Sequence, residues 1–542
     1  MMESQGKSLS SATQAERGIA SSAGIVAAGT FISRILGFVR DMVLASFFGA
    51  SPAADAFYVA FRVPNLLREL FAEGSMSAAF IPVFTEYLTQ RTKPEAKELG
   101  RAAFTILFLI LSIVVSLGIL FSPQIVSVIA PGFLRNPGQF QLTTELTRIM
   151  FPFLLFISLA ALAMGVLNST RHFAPPAFSS GIFNIVSILL LLGFTPLFPE
   201  PVYAAAFGVA LGGLAQFLVQ LPALYKEGFA FSFKRPIRPL HPGVVQMGKL
   251  LLPTTLGLSV MQINILVNTL LASYLPTGSV SYLYYGLRLI HFPLGIFAVA
   301  LATALLPTLS THASKGDYEA LRKSFSFGLR LVFFIMFPAM LGLILFRVPI
   351  VHLLFEHGTF DRLATLGTAD AVLFYSLGLW AFAGVRIIVP VFYSLQDTKT
   401  PVKIGMIAVG INLLLNVLFI FPMKHRGLAL ATSLSAMFNF SFLFWILRCR
   451  IGRLDGKRIF LSHLKVILAS LGMVPVSIWL NGQGLWASQG AWPVKSLLLS
   501  AAILISALTY FSIQALLKGE ELRFLSDLIK DRFQRSSKSS RL

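Results

Sequence analysis

The stretch that decides the fold spans residues 33 to 73 and reads SRILGFVRDMVLASFFGASPAADAFYVAFRVPNLLRELFAE. Its apolar residues, mostly Ile, Leu, Phe and Val, surround eight charged groups: Arg34, Arg40, Asp41, Asp55, Arg62, Arg68, Glu69 and Glu73. A lone charge at the centre of a bilayer costs at least ~2.5–3.5 kcal/mol. Eight such groups in two apolar stretches are therefore expected to face one another or a watery cavity. The pattern predicts a polar chamber inside an all-α integral membrane protein.

The composition of the whole chain agrees with a membrane location. The chain has 542 residues, of which 56% are hydrophobic and 12% charged, whereas soluble proteins have about 25% charged residues. The net charge is +21, but the Lys and Arg residues are spread over short loops, so no nucleic-acid partner is expected. Cys449 is the single cysteine, which excludes an intrachain disulfide and a cysteine-based metal cluster. We therefore expect no metal and no cofactor.

Fourteen apolar stretches are long enough to cross a bilayer, which takes roughly 20 residues each. They are 20–48, 53–89, 99–127, 141–168, 174–196, 202–225, 244–275, 279–312, 322–346, 365–395, 401–421, 426–449, 461–481 and 493–517. The loops after even-numbered spans are rich in Lys and Arg, and most loops after odd-numbered spans are poor in them. Cytoplasmic loops carry the excess of positive charge, so both termini are predicted to be cytoplasmic. An even number of spans places both termini on the same side of the membrane, which agrees with this prediction.

A weak internal repeat relates spans 1–6 to spans 7–12 at a shift of about 227 residues. Leu44 to Phe47 (LASF) matches Leu271 to Tyr274 (LASY), and Asn184 falls near Asn412. The repeat predicts two pseudo-symmetric six-helix lobes, as in transporters that bind substrate between such halves. The predicted organisation is a cytoplasmic segment at 1–19, an N-lobe at 20–225, a linker at 226–243, a C-lobe at 244–449, a helix pair at 450–517 and a basic cytoplasmic tail at 518–542.

The charged groups in the spans have two readings. Arg34 and Asp41 are seven residues apart, as are Asp55 and Arg62, so each pair shares one face of a helix. In one reading these groups pair with each other and only satisfy a polar core. In the other they bind a ligand, because membrane interiors rarely contain such groups without a function.

Two arginines of the second half favour the ligand reading. Arg288 has no acid within four residues and lies where Arg68 lies in the first half. Arg386 could act similarly or extend toward an interface. The guanidinium group matches phosphate oxygens two at a time, so Arg34, Arg40, Arg68 and Arg288 would suit a diphosphate head group. Arg62, Glu73 and Arg386 are accessory candidates in the same chamber.

Four polar residues at or near span interiors could hold a coupling cation through oxygen ligands. They are Asn268, Asp397, Asn412 and Asn416. Hydrogen bonding between helices is the commoner use of asparagine in membranes, and it stays open as the alternative.

The stretch quoted above, extended to Tyr87, resembles the signature of the MurJ (MviN) family of lipid II flippases. APGF at 130–133, TGSVSYLYYGLRL at 277–289 and FYSLQDTKTPVK at 392–403 also match. The family belongs to the multidrug/oligosaccharidyl-lipid/polysaccharide exporter superfamily. The resemblance implies a protein of the bacterial inner membrane, not an enzyme, that moves the undecaprenyl-diphosphate-linked peptidoglycan precursor to the outer leaflet by alternating access.

The resemblance also implies roles for individual residues. Arg34, Arg40, Asp41, Asp55, Arg68 and Arg288 match positions that line the family's central cavity, and the last two spans match its groove for the lipid tail. Some relatives have an acid for sodium on the seventh span, where this chain has Asn268. Sodium coupling is therefore not expected, and coupling to the membrane potential or another monovalent cation stays open.

Three other functions compete with lipid II transport. A flippase for another polyprenyl-diphosphate oligosaccharide, or a drug exporter, would share the fold. A non-transporting scaffold that recruits cell-wall synthesis proteins would depend on the basic tail, 518–542. A membrane-embedded transferase lacks support, because the chain has no hydrolase elbow and no metal-ligand spacing. Membrane lipids are expected partners in each case.

Overall fold

The computed structural model describes residues 2–70, 75–229, 241–487, 490–527 and 530, and within them every regular element is a helix. The chain divides into two compact units, Met1–Thr277 and Gly278–Leu542.

Unit 1 contains eleven α-helices within the described residues. They are α1 (Met2–Phe48), α2 (Pro52–Arg68), α3 (Ser75–Gln90), α4 (Lys93–Leu120), α5 (Ser122–Ile129), α6 (Pro137–Met150), α7 (Pro152–Ser169), α8 (Ala174–Phe194), α9 (Pro201–Leu218), α10 (Leu221–Lys226) and α11 (Pro242–Ser273). Short 3₁₀ turns follow α5 and α8, at Pro131–Arg135 and Thr195–Leu197.

Unit 2 contains a further eleven α-helices in the part of the chain that is described. They are α12 (Ser279–Pro293), α13 (Val299–Ser314), α14 (Tyr318–Leu345), α15 (Arg347–Phe355), α16 (Arg362–Ser376), α17 (Leu379–Ser394), α18 (Lys399–Met423), α19 (His425–Ile451), α20 (Gly456–Leu471), α21 (Val474–Asn481) and α22 (Trp492–Leu516). A π-helical turn, Leu294–Ala298, joins α12 to α13, and a 3₁₀ turn at Leu485–Ala487 lies between α21 and α22.

Several helices begin where the sequence provides a capping side chain. Ser51, Thr92 and Asn136 each accept a hydrogen bond from a backbone N–H three residues later, and a proline follows in the first turn. Asp317 and Asp361 cap α14 and α16 in the same way. These side chains satisfy N–H groups that would otherwise lack an intrahelical partner. The local sequence therefore fixes these helix starts.

Within the described residues, ten helical segments are long and apolar enough to cross a membrane, and the pair α16 and α17, bent by 43°, makes an eleventh when counted as one span. The three other predicted spans, 20–48, 53–89 and 244–275, fall on α1, on α2 with α3, and on α11. The charges of α1 lower its hydropathy. In turn, α2 and α3 have only 17 and 16 residues, each fewer than the roughly 20 that a span needs.

The two units repeat the same order of helix packing. In unit 1, α2 packs on α6, α3 and α4 pack on α7, and both α7 and α8 pack on α9. In unit 2, α12 packs on α16, α13 and α14 pack on α17, and both α17 and α18 pack on α19. Each of these seven helices of unit 1 thus corresponds to the helix ten places later. This is the packing that the sequence repeat predicts for two copies of one fold.

One helix departs from this correspondence. The sequence places α11 at the start of the second lobe, but α11 packs inside unit 1, against α3 and the turn Pro131–Arg135. The Gly132 N–H donates to Ser273 Oγ over 3.0 Å, and the Arg135 guanidinium lies 5.4 Å from the centre of the Tyr274 ring. A glycine is required at 132 because a Cβ there would overlap the backbone of Ser273 and Tyr274.

The predicted basic tail begins with a segment packed into unit 2. Residues 520–527 are helical. Glu521 is buried and lies 2.5 Å from the Arg330 guanidinium, which is itself buried within α14. Glu520 lies 2.9 Å from Arg330 and 2.7 Å from Arg458 of α20. The hydrogen bond from Arg458 lowers the pKa of Glu520. These ion pairs fasten the segment to α14 and α20.

Replacing Gly132 by alanine should destabilise unit 1. The added methyl group would push the turn off the end of α11, and overpacking of this kind costs about 1–3 kcal/mol. Gly138→Ala is the matched control, because the nearest atom to its Cβ, Asn136 Oδ1, is 3.7 Å away. Thermal unfolding of the purified protein in detergent should show a lower midpoint for Gly132→Ala alone. Equal midpoints for the two variants would contradict this account of the turn.

Candidate functional site

The charged residues of α1 include a buried ion pair. Asp41 is fully buried, and its Oδ1 accepts hydrogen bonds from Arg40 Nη2 at 2.8 Å and Nε at 3.2 Å. The Arg40 guanidinium also lies 5.5 Å from the centre of the Phe183 ring on α8, within reach of a cation–π interaction. Arg34, two helical turns earlier, is exposed. The pairing alternative therefore describes Arg40 and Asp41, and it does not describe Arg34.

The acid at the start of α2 is placed where a helix favours a negative charge. Asp55 is buried and lies in the first turn of α2, after the capping Ser51. The N-terminus of a helix carries a partial positive charge, which stabilises a carboxylate there. Arg62 follows two turns later and is half-buried. The structure thus keeps Asp55 and Arg62 on one helix, as their spacing predicts.

A hydrogen-bonded network closes the end of α2. Arg68 Nε donates to Asn65 Oδ1 at 3.0 Å, and Asn65 Nδ2 donates to Glu69 Oε1 at 3.2 Å. Glu69 also accepts a hydrogen bond from Gln262 of α11, and its Oε1 lies 3.7 Å from Arg68 Nη2. The network holds the Arg68 guanidinium in place beside α11. Glu73, an accessory candidate, lies outside the described residues.

Sequence reasoning missed two members of this network. Asn65 precedes Arg68 by three residues and Glu69 by four, which places it beside both on the helix. That spacing was a usable signal. Gln262 is nearly two hundred residues away in the sequence, and no local pattern connects it to α2.

Unit 2 places two arginines near one histidine. Arg288 of α12 is half-buried, and Arg386 of α17 is exposed. Both act electrostatically on His291, so the three side chains share one neighbourhood. An arginine facing acyl chains in mid-span costs about 2.5–3.5 kcal/mol. We therefore expect this surface of unit 2 to face water.

The asparagines proposed for a coupling cation lie in different units. Asn412 and Asn416 are fully buried on α18. Asn416 Nδ2 donates to Asn412 Oδ1 at 2.8 Å, and Asn412 Nδ2 lies 3.5 Å from Thr432 Oγ1 on α19. This arrangement favours hydrogen bonding between α18 and α19 over ion binding. Asn268 is half-buried on α11 in unit 1.

Asp397 lies in the loop between α17 and α18. Its carboxylate accepts hydrogen bonds from the backbone N–H groups of Lys399 and Thr400, from the Thr400 hydroxyl and from Arg450 of α19. Burial raises the pKa of this carboxyl, but the hydrogen bonds from Thr400 and Arg450 outweigh it and lower the pKa to about 2. The carboxylate is thus committed to the start of α18 and to α19, which favours a structural role.

Each unit carries arginines of the kind that the sequence predicts for anion binding. Unit 1 carries Arg34, Arg40 and Arg68 on α1 and α2, and unit 2 carries Arg288 and Arg386. Each guanidinium offers donors to oxygen atoms in a planar fork. In the described part of the chain, no group of three or more His, Cys, Asp or Glu side chains is placed to hold a metal ion.

Comparison with known proteins assigns these features to a family. The family model described as "Lipid II flippase MurJ" matches residues 44–502. A relative from Vibrio cholerae serotype O1, named "Probable lipid II flippase MurJ", is 38% identical over 502 residues, which cover 91% of this chain and 95% of the relative. A relative from Burkholderia cenocepacia, named "Lipid II flippase MurJ", is 37% identical over 88% of this chain and 93% of its own length.

Solved structures agree with the sequence comparisons. The structure named "Lipid II flippase MurJ, inward closed conformation" covers 93% of this chain and 99% of its own, with a TM-score of 0.74 and 26% identity. An inward-facing multidrug transporter of the MATE family covers 78% of this chain and 96% of its own, with a TM-score of 0.64. At 15% identity the second likeness concerns the fold alone. Because the family model matches most of this chain, from residue 44 to residue 502, the chain belongs to the MurJ family.

Proposed function

We propose that this protein is a lipid II flippase, which moves the undecaprenyl-diphosphate-linked peptidoglycan precursor from the inner to the outer leaflet of the bacterial cytoplasmic membrane. The match to the MurJ family over residues 44–502 carries the proposal. The arginines on apolar helices support it, because an anionic head group needs cations on its path through the bilayer. The protein is then a multi-pass inner-membrane transporter and not an enzyme.

The proposed topology has fourteen spans, in two six-helix lobes and a C-terminal pair, with both termini in the cytoplasm. The positions of the helices support this count, since every predicted span falls on a helix or a pair of consecutive helices. The distribution of Lys and Arg over the loops supports the orientation.

In the proposed binding step, Arg34, Arg40, Arg68 and Arg288 hold the diphosphate. Asp41 and Asp55 position the arginines or take part in gating. Asp41 engages Arg40 through Nε and Nη2, and a diphosphate would compete for these donors. Arg62, Glu73 and Arg386 are accessory groups, and α20 to α22 accept the lipid tail.

Alternating access needs helices that can change shape, and both units contain such places. Pro64 lies inside α2, where it removes one backbone hydrogen bond. In unit 2, the π-helical turn Leu294–Ala298 follows Pro293, and α16 meets α17 at a bend of 43°. π turns and prolines are where helices bend. We propose that bending at these points exposes the head-group site to each side of the membrane in turn.

The membrane potential is the proposed energy source. With the inside negative, it drives an anion outward with ~2.3 kcal/mol per charge per 100 mV. Asn268 stands where some relatives have an acid for sodium, so transport is proposed to run without sodium. The lipid-linked precursor and the surrounding lipids are the proposed partners, with cell-wall synthesis proteins as further ones.

The proposed topology predicts a labelling pattern in intact cells. In a Cys449→Ser background, cysteines added at either terminus should resist a membrane-impermeant thiol reagent, because the termini face the cytoplasm. A cysteine at Gln483, between the last two spans, should react. Terminal cysteines that react before the cells are lysed would refute the orientation.

Replacing Arg288 should weaken head-group binding. A hydrogen bond to a charged group contributes about 1.5–3 kcal/mol, so Arg288→Ala should lower the affinity for lipid II on the order of 10–100-fold. Arg288→Lys should recover only part of the loss, because an ammonium lacks the planar fork. Affinity and translocation are measured in proteoliposomes.

The matched control is Arg347→Ala, which should leave the lipid II affinity unchanged, because Arg347 at the start of α15 donates to the Ile344 carbonyl in the last turn of α14. Unchanged affinity in Arg288→Ala would remove Arg288 from the site. Tighter binding of organic cations than of the diphosphate lipid would favour the drug-exporter alternative.

Translocation should depend on voltage and not on sodium. An inside-negative potential set with valinomycin should raise the rate, because the head group carries negative charge outward. Replacing sodium by choline at fixed potential should leave the rate unchanged, as should Asn268→Ala. A rate that falls with sodium removal would overturn the proposed energy source.

A further inference from the structure

A second polar cluster lies where α15, the start of α16 and the first turn of α22 meet, entirely within unit 2. The Lys495 ammonium of α22 lies 2.9 Å from His352 Nε2 of α15. His352 Nδ1 lies 2.7 Å from Glu356 Oε2. Lys495 and His352 have no exposed surface, and Glu356 is 3% exposed. The proposed head-group site uses none of these three residues.

With Lys495 charged, the distances allow one protonation pattern. An ammonium can only donate, so His352 Nε2 must accept, and the imidazole is therefore neutral with its proton on Nδ1. That proton lies beside the Glu356 carboxylate but is not aligned with it for a hydrogen bond. The Thr365 hydroxyl donates to the same Glu356 oxygen at 2.6 Å, and Arg362 Nη1 lies 3.6 Å from it. Lysine, histidine and glutamate thus form one chain of polar contacts, in which Lys495 and His352 are joined by a hydrogen bond and His352 and Glu356 by a close electrostatic contact.

The position of Lys495 is unfavourable without this chain. Its side chain is buried, and the first turn of a helix carries a partial positive charge that disfavours a cation. The Trp492 ring, 5.4 Å from the ammonium, offers an apolar face and a weak cation–π contact. His352 and Glu356 therefore stabilise a buried ammonium at the start of α22.

The chain also joins two parts of unit 2. Around it, Phe346, Leu480, Trp486, Leu499 and Ala502 form a buried apolar cluster that packs α22 on the α15 region. Within the described residues, the charged and titratable groups near the His352 ring are Glu356 on its own helix, Arg362 of α16 and Lys495 of α22. His357 contacts Trp492, with ring centres 4.3 Å apart.

We propose that Lys495, His352 and Glu356 form a proton-sensitive clasp that holds α22 against α15 while His352 is neutral and releases it when His352 takes up a proton. A protonated imidazole carries hydrogen on both nitrogens, so Nε2 can no longer accept from Lys495. Two positive groups would then face each other at 2.9 Å in a buried site, and α22 would move away.

The direction of the pH effect follows from the surroundings of His352. Burial lowers the pKa of His352, Lys495 and Arg362 lower it further, and Glu356 raises it. The net effect is a pKa below the ordinary 6.5, so the unfolded chain binds this proton first as the pH falls. The clasp therefore contributes its full stability above pH 6.5 and loses it progressively below that value.

The side of the membrane that controls the clasp follows from the proposed topology. Segments 347–364 and 482–492 follow odd-numbered spans and are proposed to be periplasmic. The clasp would then report the pH outside the cytoplasm to the helix pair proposed to accept the lipid tail. Only this step rests on the proposed function, because the clasp itself is tested without lipid II.

The first test compares the thermal unfolding of the intact protein in detergent between pH 8 and pH 5. His352→Gln keeps one donor and one acceptor but cannot be protonated, so the stability difference between wild type and His352→Gln should shrink as the pH falls below 6.5. His312→Gln, a change in the same unit at the end of α13, should show a constant difference from wild type. A difference that stays constant for His352→Gln would overturn the proposal.

The second test follows the movement of α22 directly. In a Cys449→Ser background, cysteine replaces either Leu499, which is 7% exposed, or Val494, which is 52% exposed on the same helix. The ratio of their N-ethylmaleimide reaction rates cancels the pH dependence of the thiol. The rate at position 499 divided by the rate at position 494 should rise as the pH falls, because Leu499 becomes exposed when α22 moves. The same ratio should stay constant when His352→Gln is present.

Lys495→Met provides a further variant in case His352→Gln does not fold. Without the ammonium, a protonated His352 keeps its contact with Glu356 and no longer faces a positive charge on α22, so acid should no longer raise the labelling ratio. A packing role for Lys495 would leave the pH profile unchanged. A labelling ratio that rises in acid in Lys495→Met would refute the mechanism. So would a ratio that does not rise in acid in the protein with Lys495, His352 and Glu356 intact.

Discussion

The cost of placing charge in lipid governs this structure. A charge that leaves water must meet an opposite charge, a hydrogen-bonding group or an internal cavity. The helices meet this demand in several ways. Arg40 pairs with Asp41, Arg330 pairs with Glu521, and Lys495 reaches Glu356 through His352. The contacts of Arg330 and Lys495 each tie one element of unit 2 to another. Removing one partner of such a pair typically costs about 3–5 kcal/mol.

Internal repetition explains most of the remaining architecture. The helices of each unit pack in the same order, so one set of apolar faces serves twice. The charges are not repeated so faithfully. Unit 1 carries its arginines together with carboxylates on α1 and α2, whereas Arg288 and Arg386 of unit 2 lie near His291. The repeat therefore preserves packing, while the polar groups have diverged.

The sequence predicts the helices better than it predicts the contacts of their polar side chains. Ten or eleven spans follow from hydropathy alone, because apolar length is a local property. Pairing of Arg40 with Asp41 was open to either reading, since neighbouring residues on a helix do not normally face each other and only the long arginine side chain brings them together. Gln262 could not be connected to Glu69, and the packing of α11 in unit 1 depends on contacts between residues far apart in the sequence.

The functional candidates show the same division between local and distant information. A motif match predicts Arg288 in the site, and the structure adds that His291 and Arg386 lie in its neighbourhood. Asp397 looked like an ion ligand because it is an acid near the end of a span. Its carboxylate instead caps α18 and holds Arg450, a role that depends on the course of the loop.

The packed segment at 520–527 changes how the end of this chain can be cut. Glu520 and Glu521 are the counter-charges of Arg330 inside α14, so a truncation at residue 518 would strip a buried guanidinium of both acids. The loss of activity that followed would be indistinguishable from the loss of a recruitment signal. A deletion meant to remove only the basic end therefore has to leave residues 520–527 in place and begin after residue 527.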